Sequence, residues 1–162
     1  MLILLEGLVM SFWLLLICVA GIAKSGPVGL VIFYEQDVKE RVVELGLTTK
    51  DNIDKAGRIA GLALILPLIT VVPAVVYFYN GVTGFKDGFL QLLGIYMIMN
   101  IFDRFFIDEW WVCHTRAWFI PGTEDLMPYI TWKVRIRKWL ESFLLFTMLA
   151  AIMAGVFQLI GY

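Results

Sequence analysis

The stretch GRIAGLALILPLITVVPAVVYFY, residues 57–79, contains only one charged side chain, that of Arg58. A helix of about 20 apolar residues is long enough to cross the roughly 30 Å hydrocarbon core of a bilayer. Because a chain in lipid must satisfy its own backbone hydrogen bonds, we expect a helix here rather than an open strand. The stretch therefore predicts a transmembrane helix.

Three further stretches share this length and composition, namely residues 2–23, 88–107 and 139–161. The chain of 162 residues is 60% hydrophobic and 17% charged, whereas soluble domains average about 45–50% and 25%. The sequence therefore predicts an all-α fold, a polytopic membrane protein in which residues 1–162 form one four-helix transmembrane domain. Its formal net charge of −1 gives no indication of a nucleic-acid partner.

Lysine and arginine are distributed unequally between the connections. Twelve of the thirteen fall in or beside the two long connections, 24–56 and 108–138, and only Lys86 lies in the short loop between the second and third helices. The positive-inside rule predicts that both long connections are cytoplasmic and that both chain ends lie on the outer side. The expected location is the cytoplasmic (inner) membrane.

The long connections contain signals of short helices and of membrane contact. Residues 34–46 predict an amphipathic helix that ends at Gly46, and Thr48 or Thr49 can cap a second helix after it. The sequence KVRIRK is a candidate site for anionic lipid, although topology signalling alone also explains it. Its basic residues are Lys133, Arg135, Arg137 and Lys138.

The second transmembrane stretch contains Pro67 and Pro73, which predict a kink or local unwinding between them. A broken helix of this kind exposes carbonyl groups to ions in some transporters. No acidic side chain accompanies these two prolines, which favours ordinary membrane-helix prolines over an ion site.

The end of the third stretch carries a polar face. Asn100, Asp103, Arg104, Ile107 and Asp108 follow each other at helical spacing. Ionisable groups within a membrane are costly, and they indicate a functional site by default. The candidate ligand-binding residues are Asp103, Arg104, Asp108, Glu109, His114 and Glu124.

Two interpretations of this polar face remain open. In the first, Asp108 and His114 are candidate metal ligands, which Glu109 and an acid of the following loop would join. In the second, the charges form a structural ion network in which Arg104 pairs with Asp103, Asp108 or Glu141. The sequence contains no P-loop, no H-E-x-x-H and no nucleophile elbow, so it indicates neither an enzymatic activity nor a cofactor.

The loop after the third stretch reads FIPGTEDLMPYI, where Pro121 and Gly122 predict a type II turn and Thr123 a helix cap. The segment DRFFIDEWWVCHTRAWFIPGTED, in a four-helix chain, resembles a group of small bacterial inner-membrane proteins of uncharacterised function. Those proteins share the acid-rich end of the third helix, the tryptophans and the P-G-T-E turn. The resemblance implies a bacterial inner-membrane protein and supplies no activity.

Three functions are compatible with these patterns. The polar cluster can bind a small ligand, a lipid headgroup or a cation on the cytoplasmic side. Alternatively, the protein is a non-catalytic partner or assembly subunit, as a homo-oligomer or with another membrane protein, because an intramembrane charge is a good assembly signal. A small transporter is the third, and the lack of acids on the second helix counts against it.

Overall fold

The computed structural model describes residues 1–162, which are almost entirely helical and contain no strand. We number five helices in chain order: α1 (Leu2–Ser25), α2 (Gln36–Glu44), α3 (Lys50–Tyr79), α4 (Phe85–Val112) and α5 (Trp132–Leu159). Three 3₁₀ segments lie in the connections, at Pro27–Phe33, Arg116–Trp118 and Glu124–Leu126. All helices except α2 are long and apolar enough to cross a membrane, so the four helices expected from the apolar stretches are present.

The four long helices form a bundle with two different ends. At one end, which we call the terminal end, the Asn80 amide donates to Glu6 and the Phe85 backbone N–H donates to Gln158. The other end, which we call the connection end, contains both long connections. In the interior of the bundle α4 packs between α1 and α5, and its residues Leu92, Ile95 and Tyr96 are fully buried.

The 3₁₀ segment Pro27–Phe33 packs between α1 and α3 at the connection end. Two glycines make this close approach possible. A Cβ at Gly21 would lie 2.5 Å from the Leu30 side chain, and a Cβ at Gly57 would lie 2.9 Å from Ile32. Both distances are shorter than van der Waals contact, so a larger residue at either position would push the segment out.

The interruption predicted for the second transmembrane helix lies at Thr70, between the two prolines. Thr70 has φ −119° and ψ −63°, and the end of the helix, Val75–Tyr79, is π-helical. Because Pro67 has no N–H, it leaves the carbonyl of Ala63 without its helical donor. The Trp13 indole N–H donates to that carbonyl at 3.0 Å and so joins α1 to α3.

The helices extend further at the connection end than the apolar stretches predict. The Thr49 hydroxyl accepts from the Asn52 N–H at 3.3 Å, and the Thr131 hydroxyl accepts from the Val134 N–H at 3.4 Å. These caps start α3 and α5 in polar sequence, seven residues before the predicted starts at 57 and 139. The expected second short helix is therefore the beginning of α3.

The amphipathic helix predicted between residues 34 and 46 is present as α2. Its apolar side chains Val38 and Val42 are buried against the rest of the protein, as its spacing requires. Gly46 follows with φ +68°, a left-handed conformation that suits glycine after a helix end.

Candidate functional site

The polar face of α4 lies in a segment of unusual helical geometry. Residues Asp103–Val112 are π-helical, with backbone hydrogen bonds from residue i to i+5. Such turns are rare and are found frequently at functional sites. The Arg104 guanidinium pairs with the carboxylates of both Asp103 and Asp108.

A fourth charge comes from α5. The Lys138 ammonium lies 3.3 Å from both carboxylate oxygens of Asp108. Two acids and two bases therefore balance each other in one network, which confirms the expected pairing of Arg104 with Asp103 and Asp108. The exposed fraction of the three α4 side chains is only 14% to 20%.

The remaining exposure of this network faces a cleft of about 450 Å³ that opens between the helices. Side chains from α1, α3, α4, α5 and the Pro27–Phe33 segment contribute to its walls. Twelve of the nineteen lining residues are hydrophobic. The lining includes Leu14, Tyr34, Glu35, Leu64, Asp103, Arg104, Asp108, Trp118, Tyr129, Lys138, Glu141, Ser142 and Leu145.

The cleft combines apolar and charged side chains. Leu14, Leu64 and Leu145 belong to the apolar middle of α1, α3 and α5, and they contribute to its lining. The charged network and a group of buried aromatic side chains also line it. The lining of the cleft is therefore amphipathic.

The buried residues Tyr34, Trp118 and Tyr129, which we call the aromatic wall, hold the two long connections together. The Tyr34 hydroxyl donates to the Trp118 carbonyl at 2.5 Å, and burial raises the pKa of this phenol, so it stays protonated as a donor. The Tyr129 hydroxyl accepts from the Ile120 N–H at 3.2 Å and lies 2.7 Å from the Thr123 hydroxyl. These contacts fix the loop that follows α4 against the residues that precede α2.

Two further acids of the cleft, Glu35 and Glu141, lie beside Arg137 of α5. The Arg137 guanidinium lies 2.5 Å from Glu35 and 3.7 Å from Glu141. Glu141, whose side chain is 67% exposed, has no other ion pair. It is consequently the least engaged acid of the cleft.

Three of the six candidate ligand-binding residues lie outside the cleft. Glu109 pairs with Arg135 at 2.6 Å, and the exposed His114 ring has its Nδ1 atom 2.8 Å from the Glu109 carbonyl. The Glu124 carboxylate accepts from the Gly122 N–H at 3.1 Å, and this bond lowers the pKa of Glu124. Asp103, Arg104 and Asp108 are the three that the fold brings together in the cleft.

The candidate metal ligands are not gathered at one point. Asp108 contacts Arg104 and Lys138 inside the cleft, whereas His114 is exposed beyond the end of α4. No group of three or more histidine, cysteine, aspartate or glutamate side chains is placed to hold a metal ion. The Asp108 carboxylate is thus engaged by two cations of the protein.

The turn predicted at Pro121 and Gly122 is present, but the helix cap predicted at Thr123 is not. Gly122 has the positive φ, +89°, that a type II turn requires, but the Thr123 hydroxyl donates to the Ile120 carbonyl and caps no helix.

In the basic cluster 133–138, three of the four basic residues form ion pairs with acids of other segments. Only Lys133 is left without an ion pair for an anionic lipid.

The chain matches no protein-family model, no curated protein and no solved structure. Its function has to be inferred from the chemistry of the cleft.

Proposed function

We propose that this protein is a multi-pass protein of the bacterial cytoplasmic membrane that binds an amphiphile, such as a lipid, in the cleft. One observation supports this proposal above all others: a single cleft among the four long helices is lined both by apolar side chains and by a charged network. With the four long helices across a bilayer, Lys138 and Asp108 lie nearer the headgroups than Leu145, which is further along α5. Such a cleft offers polar contacts to a headgroup and apolar contacts to the attached chain.

The size and lining of the cleft support the same function. Its volume of about 450 Å³ is within the roughly 300–1,000 Å³ typical of small-molecule sites, which are mostly apolar with a few placed polar groups. Here Asp103, Arg104, Asp108 and Lys138 supply those polar groups, and each is held in position by its partners.

Occupancy of the cleft can be tested by filling it. Ser142 of α5 is small and lines the cleft, so Ser142→Trp should occupy its volume. The matched control is Leu144→Trp, because Leu144 is 61% exposed on the same helix and does not line the cleft. Native mass spectrometry should find a retained amphiphile in wild type and Leu144→Trp and none in Ser142→Trp. Equal retention in all three proteins would contradict amphiphile binding in the cleft.

The proposed orientation places both chain ends outside the cell. Its support is the concentration of lysine and arginine at the connection end, opposite Glu6 and Asn80. Cysteine labelling in intact cells should reach a thiol introduced at Asn80 or at the C-terminus and should not reach one at Lys50. Labelling only at Lys50 would reverse the orientation and put the cleft on the outer side.

A second candidate function, that of an assembly subunit, follows from α5. Only 11% of the residues in its apolar 18-residue stretch are buried, compared with 28% to 33% in the corresponding stretches of α1, α3 and α4. If α5 pairs with α5 of a second copy, thiols introduced at Met148 or Ile152 should crosslink in membranes. A thiol at Leu62, which is exposed on α3, is the control and should not. Absence of a crosslink at both α5 positions would reject pairing of two copies through α5.

A further inference from the structure

We infer that the amphiphile bound in the cleft carries a protonated amine with N–H groups as its polar group, an inference that rests on the proposed function. The charges of the lining carry it. Four acids line the cleft, Glu35, Asp103, Asp108 and Glu141, against two bases, Arg104 and Lys138, which gives a formal charge of 2 − 4 = −2. Arg137, which pairs with the acids from outside the lining, reduces this to −1.

The excess negative charge is not spread evenly. In the inner network Asp103 and Asp108 are balanced by Arg104 and Lys138, so an entering ion finds no net charge there. The excess lies at Glu35 and Glu141, which share one guanidinium. Since Arg137 lies closer to Glu35, at 2.5 Å, than to Glu141, at 3.7 Å, Glu141 keeps the greater capacity to accept hydrogen bonds.

An ammonium group complements Glu35 and Glu141, where the excess negative charge lies. A carboxylate accepts hydrogen bonds at two oxygens, and an ammonium donates three. An ammonium beside Glu141 would bring the charge of the cleft and Arg137 from −1 to zero. A phosphate or carboxylate would raise the negative charge beside Asp103 and Asp108, where low exposure leaves little water to screen it.

The position of Glu141 also fits the apolar part of the ligand. Leu145 follows one helical turn deeper on the same wall of the cleft, about 6 Å along α5. An amine at Glu141 therefore places the attached chain against Leu145 and toward Leu14 and Leu64.

The aromatic wall distinguishes a primary amine from a quaternary one. Quaternary ammonium groups are typically held over the open faces of aromatic rings. In this cleft Tyr34 packs against Trp118 and Tyr129, with ring centroids 5.9 and 5.0 Å apart, and all three residues are buried. Because each is at most 7% exposed, the rings offer little surface to a trimethylammonium group. The carboxylates are the more accessible partners, and they favour an amine that can donate hydrogen bonds.

The test compares head groups on one chain. The protein in phosphatidylcholine nanodiscs is melted with dodecylamine, dodecyltrimethylammonium, dodecanoate or dodecanol. We expect dodecylamine to raise the melting temperature most, because a ligand that binds only the native state stabilises it. We expect Glu141→Gln to weaken dodecylamine binding about fivefold, the upper range for an exposed ion pair. The control is Glu44→Gln, since Glu44 is 74% exposed and outside the cleft, and its affinity should equal that of wild type.

A second arm identifies the source of the amine. A short-chain diacyl lipid whose headgroup carries a primary amine and no phosphate should bind in a Glu141-dependent manner if the ligand is a lipid, and dodecylamine alone should bind if it is a free amphiphilic amine. Equal stabilisation by dodecylamine and dodecanoate or dodecanol would overturn the amine while leaving amphiphile binding intact. If no probe binds wild type and Ser142→Trp retains the same lipids as wild type, the proposed function itself fails, and the inference fails with it.

Discussion

The two ends of the bundle treat polar groups in opposite ways. Every ion pair of the protein lies at the connection end. Some belong to the network around Arg104, and the others are formed by Arg41, Arg135 and Arg137. At the terminal end, Asn80 donates to Glu6 at 2.9 Å and to Gln91 at 3.3 Å without any cation. There the Tyr77 and Phe157 rings stack at 4.2 Å. The terminal end is therefore closed by packing, and the connection end is held by charges around an open cleft.

The largest expected effect breaks the charge balance at the connection end. Arg104→Gln leaves Asp103 and Asp108 without their guanidinium, and removing one partner of a mostly buried network costs about 3–5 kcal/mol. Chemical unfolding in detergent should show this loss. The triple variant Asp103→Asn, Arg104→Gln, Asp108→Asn removes the uncompensated acids as well, so its free energy of unfolding should lie closer to wild type. A triple variant as unstable as Arg104→Gln would contradict a balanced network.

The sequence was sufficient to predict the parts of this contrast that depend on nearby residues. Apolar length predicted the four spans, the spacing of Pro67 and Pro73 predicted the interruption of α3, and the proximity of Arg104 to two acids predicted their pairing. The inner network needed one more residue, Lys138, which is 30 positions from Asp108. Sequence spacing within α4 carries no signal for it.

The cleft itself depended on features that no local pattern shows. Tyr34 and Trp118 are 84 residues apart, and their hydrogen bond forms only when both connections fold over the same end. The π-helical segment of α4 is a second example, because residues 100–108 have the spacing of a regular α-helix and give no sign of the change. Charge and spacing along the chain indicate Glu109, His114 and Glu124 as site residues, but the fold places them outside the cleft.

A second prediction tests whether the terminal end is closed by packing. A Cβ at Gly88 of α4 would overlap the buried Tyr77 hydroxyl, so Gly88→Ala should destabilise the protein by about 1–3 kcal/mol, as overpacking does. Gly155→Ala is the control, because nothing lies within 4 Å of a Cβ there, and in a helix it should stabilise by up to about 1 kcal/mol. Unfolding midpoints that move equally in both variants would show that the terminal end is loosely packed.

A third prediction concerns the middle of the bundle, where neither charge nor close aromatic packing joins α1 to α3. Trp13→Phe removes the donor to the Ala63 carbonyl and should cost about 0.5–1.5 kcal/mol, the net value of one hydrogen bond. In a Pro67→Ala background the restored helical N–H can serve that carbonyl, so the same substitution should cost less. A double-mutant cycle measures the difference. Equal costs in both backgrounds would mean that the indole does not replace the donor missing at Pro67.

The smallest expected effect concerns the ion pair between Arg41 and Asp125, which joins α2 to the second long connection. Arg41 pairs with Asp125 through two bonds of 3.0 Å, and this guanidinium lowers the pKa of the Asp125 carboxyl. Asp125→Asn should therefore increase the mobility of a spin label at residue 43 at neutral pH without changing the unfolding midpoint measurably. Asp54→Asn, an exposed acid of the same end without an ion pair, is the control.

The pH dependence of the Arg41–Asp125 ion pair has a defined sign. Because the folded-state pKa of Asp125 is depressed, its contribution is fully present above the ordinary aspartate value of about 3.9 and is lost as the pH falls through the depressed value. Wild type should thus become as mobile at residue 43 as Asp125→Asn when the pH descends through that range, while the variant changes little. A label equally mobile in both proteins at neutral pH would show that α2 is held by the burial of Val38 and Val42 alone. Packing would then extend to the rim of the connection end, and charge would hold only the residues around the cleft.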